Sequence, residues 1–393
     1  MKILLLGLAS AAIFSSYTAN AEEKNTDLVF SGYSRFGMHE TKNGNNYVTA
    51  DGQLNGNAAG RLGNEGNGAE LQFTKGFVGT NNTKWDLTFM LDNWWKQQNE
   101  YGDVHLKKIF AGVSNVFESH PEVYLWAGRD FHQRPAQELN DYMIMRHDGQ
   151  GGGFKNLNLG GFQLDIGAVG EAAEEGQGET GNYAVTSNAH DIIIGNDAKL
   201  SILMNYGFSN DQSLDKGITT YQAATLFDFG GGNKFAARYS DNSDNSSFDK
   251  TDGLTTFYTS WEGAVVVTDK TNVLYNLGYH TYNSSDNSLD RVNYSAIVRP
   301  TYTWNDIHST WLELGYSKVD YDQSGTNDAW KATLSQNISL GKSIFDRPML
   351  RLYTTVGKST NEVDSTGTTY ASTNTHDLVR DTVAVGAMFE AWW

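Results

Sequence analysis

The chain has 393 residues, 29 Lys and Arg against 46 Asp and Glu, a formal net charge of −17, and no cysteine. This charge argues against nucleic-acid binding, which requires a basic surface, and the lack of cysteine excludes disulfides and thiolate metal sites. No apolar stretch beyond the N-terminus approaches the length of about 20 residues that a membrane-spanning helix needs. Only four prolines are available for linkers, which favours one continuous architecture.

The N-terminal segment, residues 1–21, has the pattern of a secretory signal. Lys2 is the charged start, residues 3–14 form an apolar core, and Ala19-Asn20-Ala21 is a small-x-small cleavage site. The mature chain is therefore predicted to begin near Glu22. A retained membrane anchor is the alternative, but the apolar core is short for a span.

Hydrophobic residues then recur with a period of two, which is typical of β-strands. In the last predicted strand, Val383, Val385 and Phe389 fall on one face, while Glu390 and Trp392 fall on the other. The same alternation recurs in residues 28–39, 272–280 and 309–319. One face of each strand suits lipid and the other suits water.

Polar connections of two lengths separate the strands. Short turns are predicted at residues 230–233 and 345–348, and long polar segments at 40–60, 171–190, 241–256, 283–290, 320–329 and 359–380. A transmembrane barrel has short turns at one end and long loops at the other. The 372 residues that remain after removal of 21 from 393 give about 16–18 strands, at roughly 20–23 residues for each strand and connection. The predicted fold is an all-β, transmembrane antiparallel barrel of about 18 strands, with 16 as the alternative.

No enzymatic motif is present. The sequence lacks GxSxG, HExxH and a P-loop, and the glycine-rich residues 149–153 lack the Lys-Ser/Thr that a phosphate cradle requires. The nine histidines are dispersed without metal-ligand spacing. We therefore predict no enzyme activity, no cofactor and no metal site.

The predicted water-facing positions combine aromatic and charged side chains. Tyr33, Trp311 and Trp392 are interleaved with Arg35, Arg291, Arg299, Arg351 and Glu390. Sugars have apolar ring faces bordered by hydroxyls, so aromatic platforms beside charged hydrogen-bonding groups suit them. The alternative is that these aromatic rings only fill space or form an interfacial belt.

Particular strings of the sequence resemble the maltoporin (LamB-type) carbohydrate porins. They occur in the family's order at residues 30–37, 61–65, 69–71, 126–134, 297–302, 309–316, 347–348 and 388–393. The resemblance implies an 18-stranded barrel in the outer membrane of a Gram-negative bacterium, in contact with lipid and assembled as a homotrimer. It also implies a constriction loop folded inward near residues 132–150, and passive diffusion of maltose and maltodextrin-like oligosaccharides.

The family's pathway comprises an aromatic slide and an opposing polar track. The resemblance implies that the slide residues are Tyr33, Tyr101, Trp392 and Tyr221, and that the track residues are Arg35, Arg61, Glu70, Lys107, Arg134 and Asp141. Tyr101 would reach into a neighbouring subunit's pore. Tyr221 is aligned more loosely than the others, and Lys107 stands where the family usually has Arg.

Several family positions are changed in this chain. Gly68 and Ser359 replace a slide Tyr and a slide Trp, Met143 replaces the Tyr of the constriction loop, and Ala136 replaces a track Asp. With fewer platforms, a porin for another sugar class and a general diffusion porin both remain open. An outer-membrane enzyme or adhesin is a further alternative that no motif supports.

Overall fold

The computed structural model describes residues 27–42, 47–95, 103–172, 179–195, 198–370 and 378–393. Its strands are β1 Leu28–Thr41, β2 Asn67–Val78, β3 Lys84–Trp95, β4 His105–Ser114, β5 Tyr124–Asp130, β6 Gly149–Asn158, β7 Gln163–Ala172, β8 Glu179–Ile193, β9 Lys199–Ser209, β10 Thr220–Asp228, β11 Lys234–Asp241, β12 Thr255–Thr268, β13 Thr271–Asn283, β14 Arg291–Thr303, β15 His308–Tyr321, β16 Gly325–Ser339, β17 Met349–Asn361 and β18 Val379–Trp392. Single 3-10 turns occupy Asn55–Asn57, Thr80–Asn82 and Asn287–Leu289. No helix in these ranges is long and apolar enough to span a membrane.

The 18 strands form one closed antiparallel barrel. Each strand pairs with its neighbours along the chain, and β18 pairs with β1 in a register that places Phe389 opposite Phe36. Closure pairs the backbone groups of every strand without water, as a lipid environment requires. The predicted barrel is confirmed, with 18 strands rather than 16.

The two faces of the barrel wall have opposite polarity. Large apolar side chains such as Leu314, Leu334 and Leu352 are exposed on the outer face. Their strand neighbours Glu313 and Arg351 are buried on the inner face. This inverted pattern suits a wall with lipid outside and a polar interior, and it is the alternation that the sequence predicts.

Two of the predicted long loops are wrong. Most of residues 171–190 belongs to β7 and β8, and residues 320–329 contain only a three-residue connection, 322–324, between β15 and β16. Their polar composition has another cause, because Asn182, Thr186 and Asn327 are strand residues whose side chains are buried inside the barrel. The inner face of a barrel is polar, so its composition resembles that of a loop.

Three connections at the loop end of the barrel fold into its interior: residues 47–66, 131–148 and 242–254. Each buries apolar side chains, among them Leu62, Leu139, Met145 and Phe248. The segments also contact one another, since the backbone N–H of Arg61 donates to the carbonyl of Leu139 over 2.9 Å. They cover the inner face of β8 to β17.

Buried charges on that covered wall hold the first inward segment. The Glu313 carboxylate accepts hydrogen bonds from Arg299 Nη2 (2.6 Å), from Lys331 Nζ (3.0 Å) and from the backbone N–H of Leu62 (3.0 Å). Lys331 Nζ also donates to the carbonyls of Gly60 and Leu62, both over 2.6 Å. A buried charge is costly unless it is paired, and these three charges satisfy one another and the loop backbone.

Candidate solute pathway

Three aromatic rings lie in a row on the inner wall formed by β18, β1, β2 and β3. Tyr33 of β1 is paired in register with Trp392 of β18, and their rings are 6.4 Å apart with an interplanar angle of 24°. On the other side of Tyr33, the ring of Trp94 from β3 lies 5.8 Å away at 26°. All three side chains remain partly exposed to the lumen. Near-parallel rings of this kind present a continuous apolar surface.

A buried carboxylate holds two members of this row, Tyr33 and Trp392, in place. Glu390 of β18 accepts hydrogen bonds from the Tyr33 hydroxyl (2.8 Å), from Arg61 Nη2 (2.5 Å) and from Arg347 Nε (2.8 Å). The guanidinium carbon of Arg347 lies 4.2 Å from the centre of the Trp392 ring. Arg61 keeps only 11% of its side chain exposed, so it positions Tyr33 and Glu390 more than it faces the lumen.

The second inward segment, residues 131–148, approaches the same wall. Asp141 forms an ion pair with Arg35 Nη1 over 2.9 Å, and half of its side chain is exposed. Burial within the barrel acts to raise the pKa of Asp141, but Arg35 and Arg61 outweigh this effect and hold the pKa below its usual range. The guanidinium carbon of Arg35 lies 5.1 Å from the centre of the Trp94 ring. Arg35 therefore connects the loop to the aromatic row.

Further charged groups border the row on β2 and at the start of the inward segment. Glu70 accepts a hydrogen bond from the indole N–H of Trp94 over 3.3 Å. Arg134 pairs with Asp148 across the base of the segment, and its guanidinium carbon lies 3.5 Å from the centre of the Phe131 ring. The predicted track residues Arg35, Glu70, Arg134 and Asp141 are thus near the aromatic row or on the segment that faces it.

The two adjacent lysines of β4 both point inward because the strand contains a bulge. The register of β4 against β3 shifts between Met90 and Leu91. Lys107 Nζ lies 3.6 Å from Asp92, and Lys108 Nζ lies 3.2 Å from Asp130. Lys108 also lies 4.5 Å above the Phe131 ring. A strict period of two would place only one of these lysines in the lumen. The family resemblance implies Lys107 alone and gives no role to Lys108.

One predicted slide residue, Tyr221, is not part of this arrangement. Tyr221 is 54% exposed on the outer face, between the buried residues Thr220 and Gln222 of β10, and it packs against the outward ring of Tyr206. Its assignment to the slide is corrected, because alternation on β10 directs the ring away from the lumen. Tyr101 lies outside the described residues.

Other inward side chains predicted for the sugar path are inaccessible. Trp311, Arg299 and Arg351 face the interior, but the inward segments cover them and leave about 1% of each exposed. Among the described residues, no group of three or more His, Asp or Glu is arranged to hold a metal ion. The accessible row offers apolar stacking and hydrogen bonding, which are means of solute recognition.

Comparison with known proteins places this arrangement in a family. The LamB porin family matches residues 28–393, nearly the whole chain. The chain belongs to the LamB porin family. A maltoporin of Vibrio cholerae serotype O1 (strain ATCC 39315 / El Tor Inaba N16961) is 26% identical to this LamB-family porin over 444 residues, which cover 100% of both chains.

Solved structures of porins resemble the fold of this LamB-family porin. Pseudomonas aeruginosa OccK2 (OpdF) has a TM-score of 0.53 and 12% identity over 93% of this chain and 98% of its own. Acinetobacter baumannii OccAB1 has a TM-score of 0.52 and 9% identity over 93% and 95%. At such identities the likeness concerns the barrel alone. The family and the apolar outer face place this porin in the outer membrane of a Gram-negative bacterium.

Proposed function

We propose that this porin facilitates the passive diffusion of maltose and maltodextrin-like oligosaccharides, without covalent chemistry or a cofactor. The observation that carries the proposal is the near-parallel pair of Tyr33 and Trp392 rings, partly exposed and bordered by fixed charges. The name of the Vibrio cholerae relative, maltoporin, supports the same substrate class. A pyranose has an apolar face that can stack on such rings and hydroxyls that can exchange hydrogen bonds beside them.

Charged partners beside the rings form the second half of the pathway. Arg35, Glu70 and Asp141 border the aromatic row, and each already has a hydrogen-bond partner within the protein. Sugar hydroxyls both donate and accept, so they can share these carboxylates and guanidinium groups as they pass. Binding at each step must be weak enough to release the solute, and side chains that are partly satisfied by protein contacts meet that condition.

We propose that the inward segment 131–148 narrows the lumen and confines the solute to the side of the barrel that carries the aromatic row. Its tip pairs with Arg35 through Asp141, and Gln137 Nε2 reaches the opposite wall, where it donates to the Ser260 hydroxyl over 2.6 Å. A segment held at both walls divides the interior. The open part then lies along β18 to β4.

The assembly is proposed to be a homotrimer embedded in outer-membrane lipid. Paired outward aromatic rings line the loop end of β9 to β16, including Tyr206 with Tyr221 and Tyr316 with Trp330. On β5 and β6, alternation instead places Arg129 opposite Gln150 on the outer face. A lipid-facing Arg is costly, so this sector fits contact with a second subunit. If the gently extracted protein migrates as a monomer without heating, the proposed trimer is contradicted.

Ion current through single channels tests the sugar pathway. We expect maltotriose added at increasing concentration to reduce the current in a saturable way, because a bound sugar occupies the aromatic row. A panel that includes maltose, sucrose and a non-sugar osmolyte of similar size controls for viscosity and exclusion. If no sugar gives saturable block, the alternative of a general diffusion porin replaces the proposal.

A further inference from the structure

Trp94 occupies the space over a glycine of the neighbouring strand. Gly68 of β2 is paired in register with Trp94 of β3 and with Arg35 of β1. A Cβ atom added to Gly68 would overlap the Cε3 and Cδ2 atoms of the Trp94 indole. The indole therefore lies flat against the wall where Gly68 has no side chain.

We propose that Trp94 is a sugar-stacking platform of the pathway, supplied by β3 across Gly68, and that it precedes Tyr33 on the route from the loop end. The register gives this order, because Gly68 is opposite Arg35, two residues nearer the loop end than Tyr33. The assignment rests on the proposed sugar pathway and adds a third platform to it. The sequence alone gives no such role to Trp94, since Trp95 beside it is equally aromatic.

The orientation of Trp94 fits a platform. Its ring is inclined by 26° to that of Tyr33, which is in turn inclined by 24° to Trp392. A chain of pyranose units can thus stay in contact with one apolar surface as it moves from ring to ring. Trp95, by contrast, packs edge-on against Phe36 on the outer face.

The polar groups around Trp94 are those that a sugar needs. The indole N–H is directed to Glu70, which leaves the ring face free of its own polar atom. The guanidinium carbon of Arg35 lies over the ring, 5.1 Å from its centre, and Arg35 is held by Asp141. A sugar on this ring therefore meets a carboxylate and a guanidinium at its hydroxyl edge.

A purely structural role predicts something different. Aromatic rings often cover glycines in β-sheets to protect the backbone, and Tyr353 of β17 covers Gly386 of β18 in this way. Tyr353 is only 7% exposed, so no solute can reach its face. Trp94 has the same relation to a glycine but remains partly exposed in the lumen.

The test compares Trp94→Ala, Trp94→Phe and the matched control Tyr353→Ala by maltotriose block of single-channel current. We expect the block constant to weaken about fivefold in Trp94→Ala, equivalent to about 1 kcal/mol, and less in Trp94→Phe, which keeps a ring. Tyr353→Ala should match wild type. Only folded channels conduct, so a misfolded fraction does not affect the measured constant.

The possible results separate this assignment from the proposed function. Saturable block in wild type that is unchanged in Trp94→Ala would overturn the assignment and leave the sugar pathway intact. Equal weakening in Trp94→Ala and Tyr353→Ala would also overturn it, because both would then report lost packing. Absence of saturable block in wild type would overturn the proposed function and the assignment together.

Discussion

The two sides of the barrel interior use similar side chains for different purposes. On β11 to β17, inward charges such as Arg299, Glu313 and Lys331 are almost completely buried beneath the inward segments. On β18 to β4, inward residues such as Tyr33 and Trp94 stay partly exposed. Inward orientation therefore does not make a residue part of the pathway; the segments that cover one side decide which residues a solute can meet.

The difference has an electrostatic consequence. A buried ion pair has lost its hydration and depends on its partner, so removal of one member is strongly destabilising. A lumen charge remains near water, where its effect on neighbours is screened. We therefore expect substitutions on the covered side to alter stability, and substitutions on the open side to alter transport.

The largest effect is expected from Glu313→Ala on the covered side. The change leaves Lys331 buried without a counter-charge and Arg299 with only Glu138, 3.8 Å from its Nη1, and it removes the acceptor of the Leu62 N–H. Loss of one partner from a buried pair costs about 3–5 kcal/mol. Unfolding of the purified protein by guanidinium, followed by intrinsic fluorescence, should show a matching fall in the free energy of unfolding.

The matched control removes all three charges together. In Arg299→Met/Glu313→Leu/Lys331→Met no buried charge is left unpaired, and apolar replacements of similar volume are often tolerated. This variant should recover most of the stability that Glu313→Ala loses. A triple variant as unstable as the single one would show that uncompensated charge is not the cause.

Acid should loosen the segment that separates the two sides. His132 Nε2 lies 2.6 Å from the Thr186 hydroxyl, and His147 Nε2 lies 2.6 Å from the Ser247 hydroxyl. Burial lowers the pKa of His132 to about 4 and that of His147 to about 3. Below pH about 6.5 the two histidines bind protons when the segment is released, but they stay neutral while the segment is docked. Docking is therefore fully favoured above that pH and weakens as the pH falls towards 4.

Single-channel recordings at pH 7.5 and pH 4.5 measure this effect. At the lower pH each histidine should disfavour docking of the segment by about 2.5 kcal/mol, seen as larger and more frequent current fluctuations. The variant His132→Gln/His147→Gln keeps a hydrogen-bonding side chain at both positions and cannot titrate there. If its recordings change with pH as much as those of wild type, other groups control the segment.

A smaller effect is expected from the cations of the open side. In Lys107→Gln/Arg134→Gln, Asp92 and Asp148 lose these cationic neighbours, which keep 28% and 19% of their side chains exposed. A unit charge about 8 Å away in water changes an ion's energy by about 0.5 kcal/mol. Loss of two such charges should therefore raise the cation-to-anion permeability ratio, measured from the reversal potential, about fivefold. Lys318→Gln removes an outward cation and should leave selectivity unchanged; an equal rise there would mean that the effect is not local to the lumen.

The barrel was predictable because its alternation is long and regular. Glu390 and Trp392 are inward, as a period of two predicts, and closure beside β1 then brings Trp392 to Tyr33. The strands within residues 171–190 and 320–329 were not predictable, because composition cannot distinguish a polar strand face from a loop. Burial of those strand residues depends on side chains that are distant in sequence.

The parts of the pathway that the sequence prediction missed depend on register. Trp94 and Trp95 are adjacent, and only the pairing with Gly68 shows that Trp94 is the inward one. Lys108 is inward by regular alternation with the outward Ile109, and a bulge at Lys107 brings the neighbouring lysine inward as well, which one strand's pattern does not reveal. Tyr221 was wrongly assigned to the slide. Its neighbours Thr220 and Gln222 in β10 are buried on the inner face, so alternation places the Tyr221 ring on the outer face.

The most direct test of an aromatic pathway on the open side compares two pairs of stacked rings. Tyr33→Ala/Trp392→Ala removes the inner pair, whereas Tyr206→Ala/Tyr221→Ala removes an outward pair whose ring centres are 5.2 Å apart. Maltotriose block of single-channel current should weaken by more than about tenfold in the first variant, because two contacts of about 1 kcal/mol are lost. It should be unchanged in the second. Equal block in wild type and in Tyr33→Ala/Trp392→Ala would contradict the account.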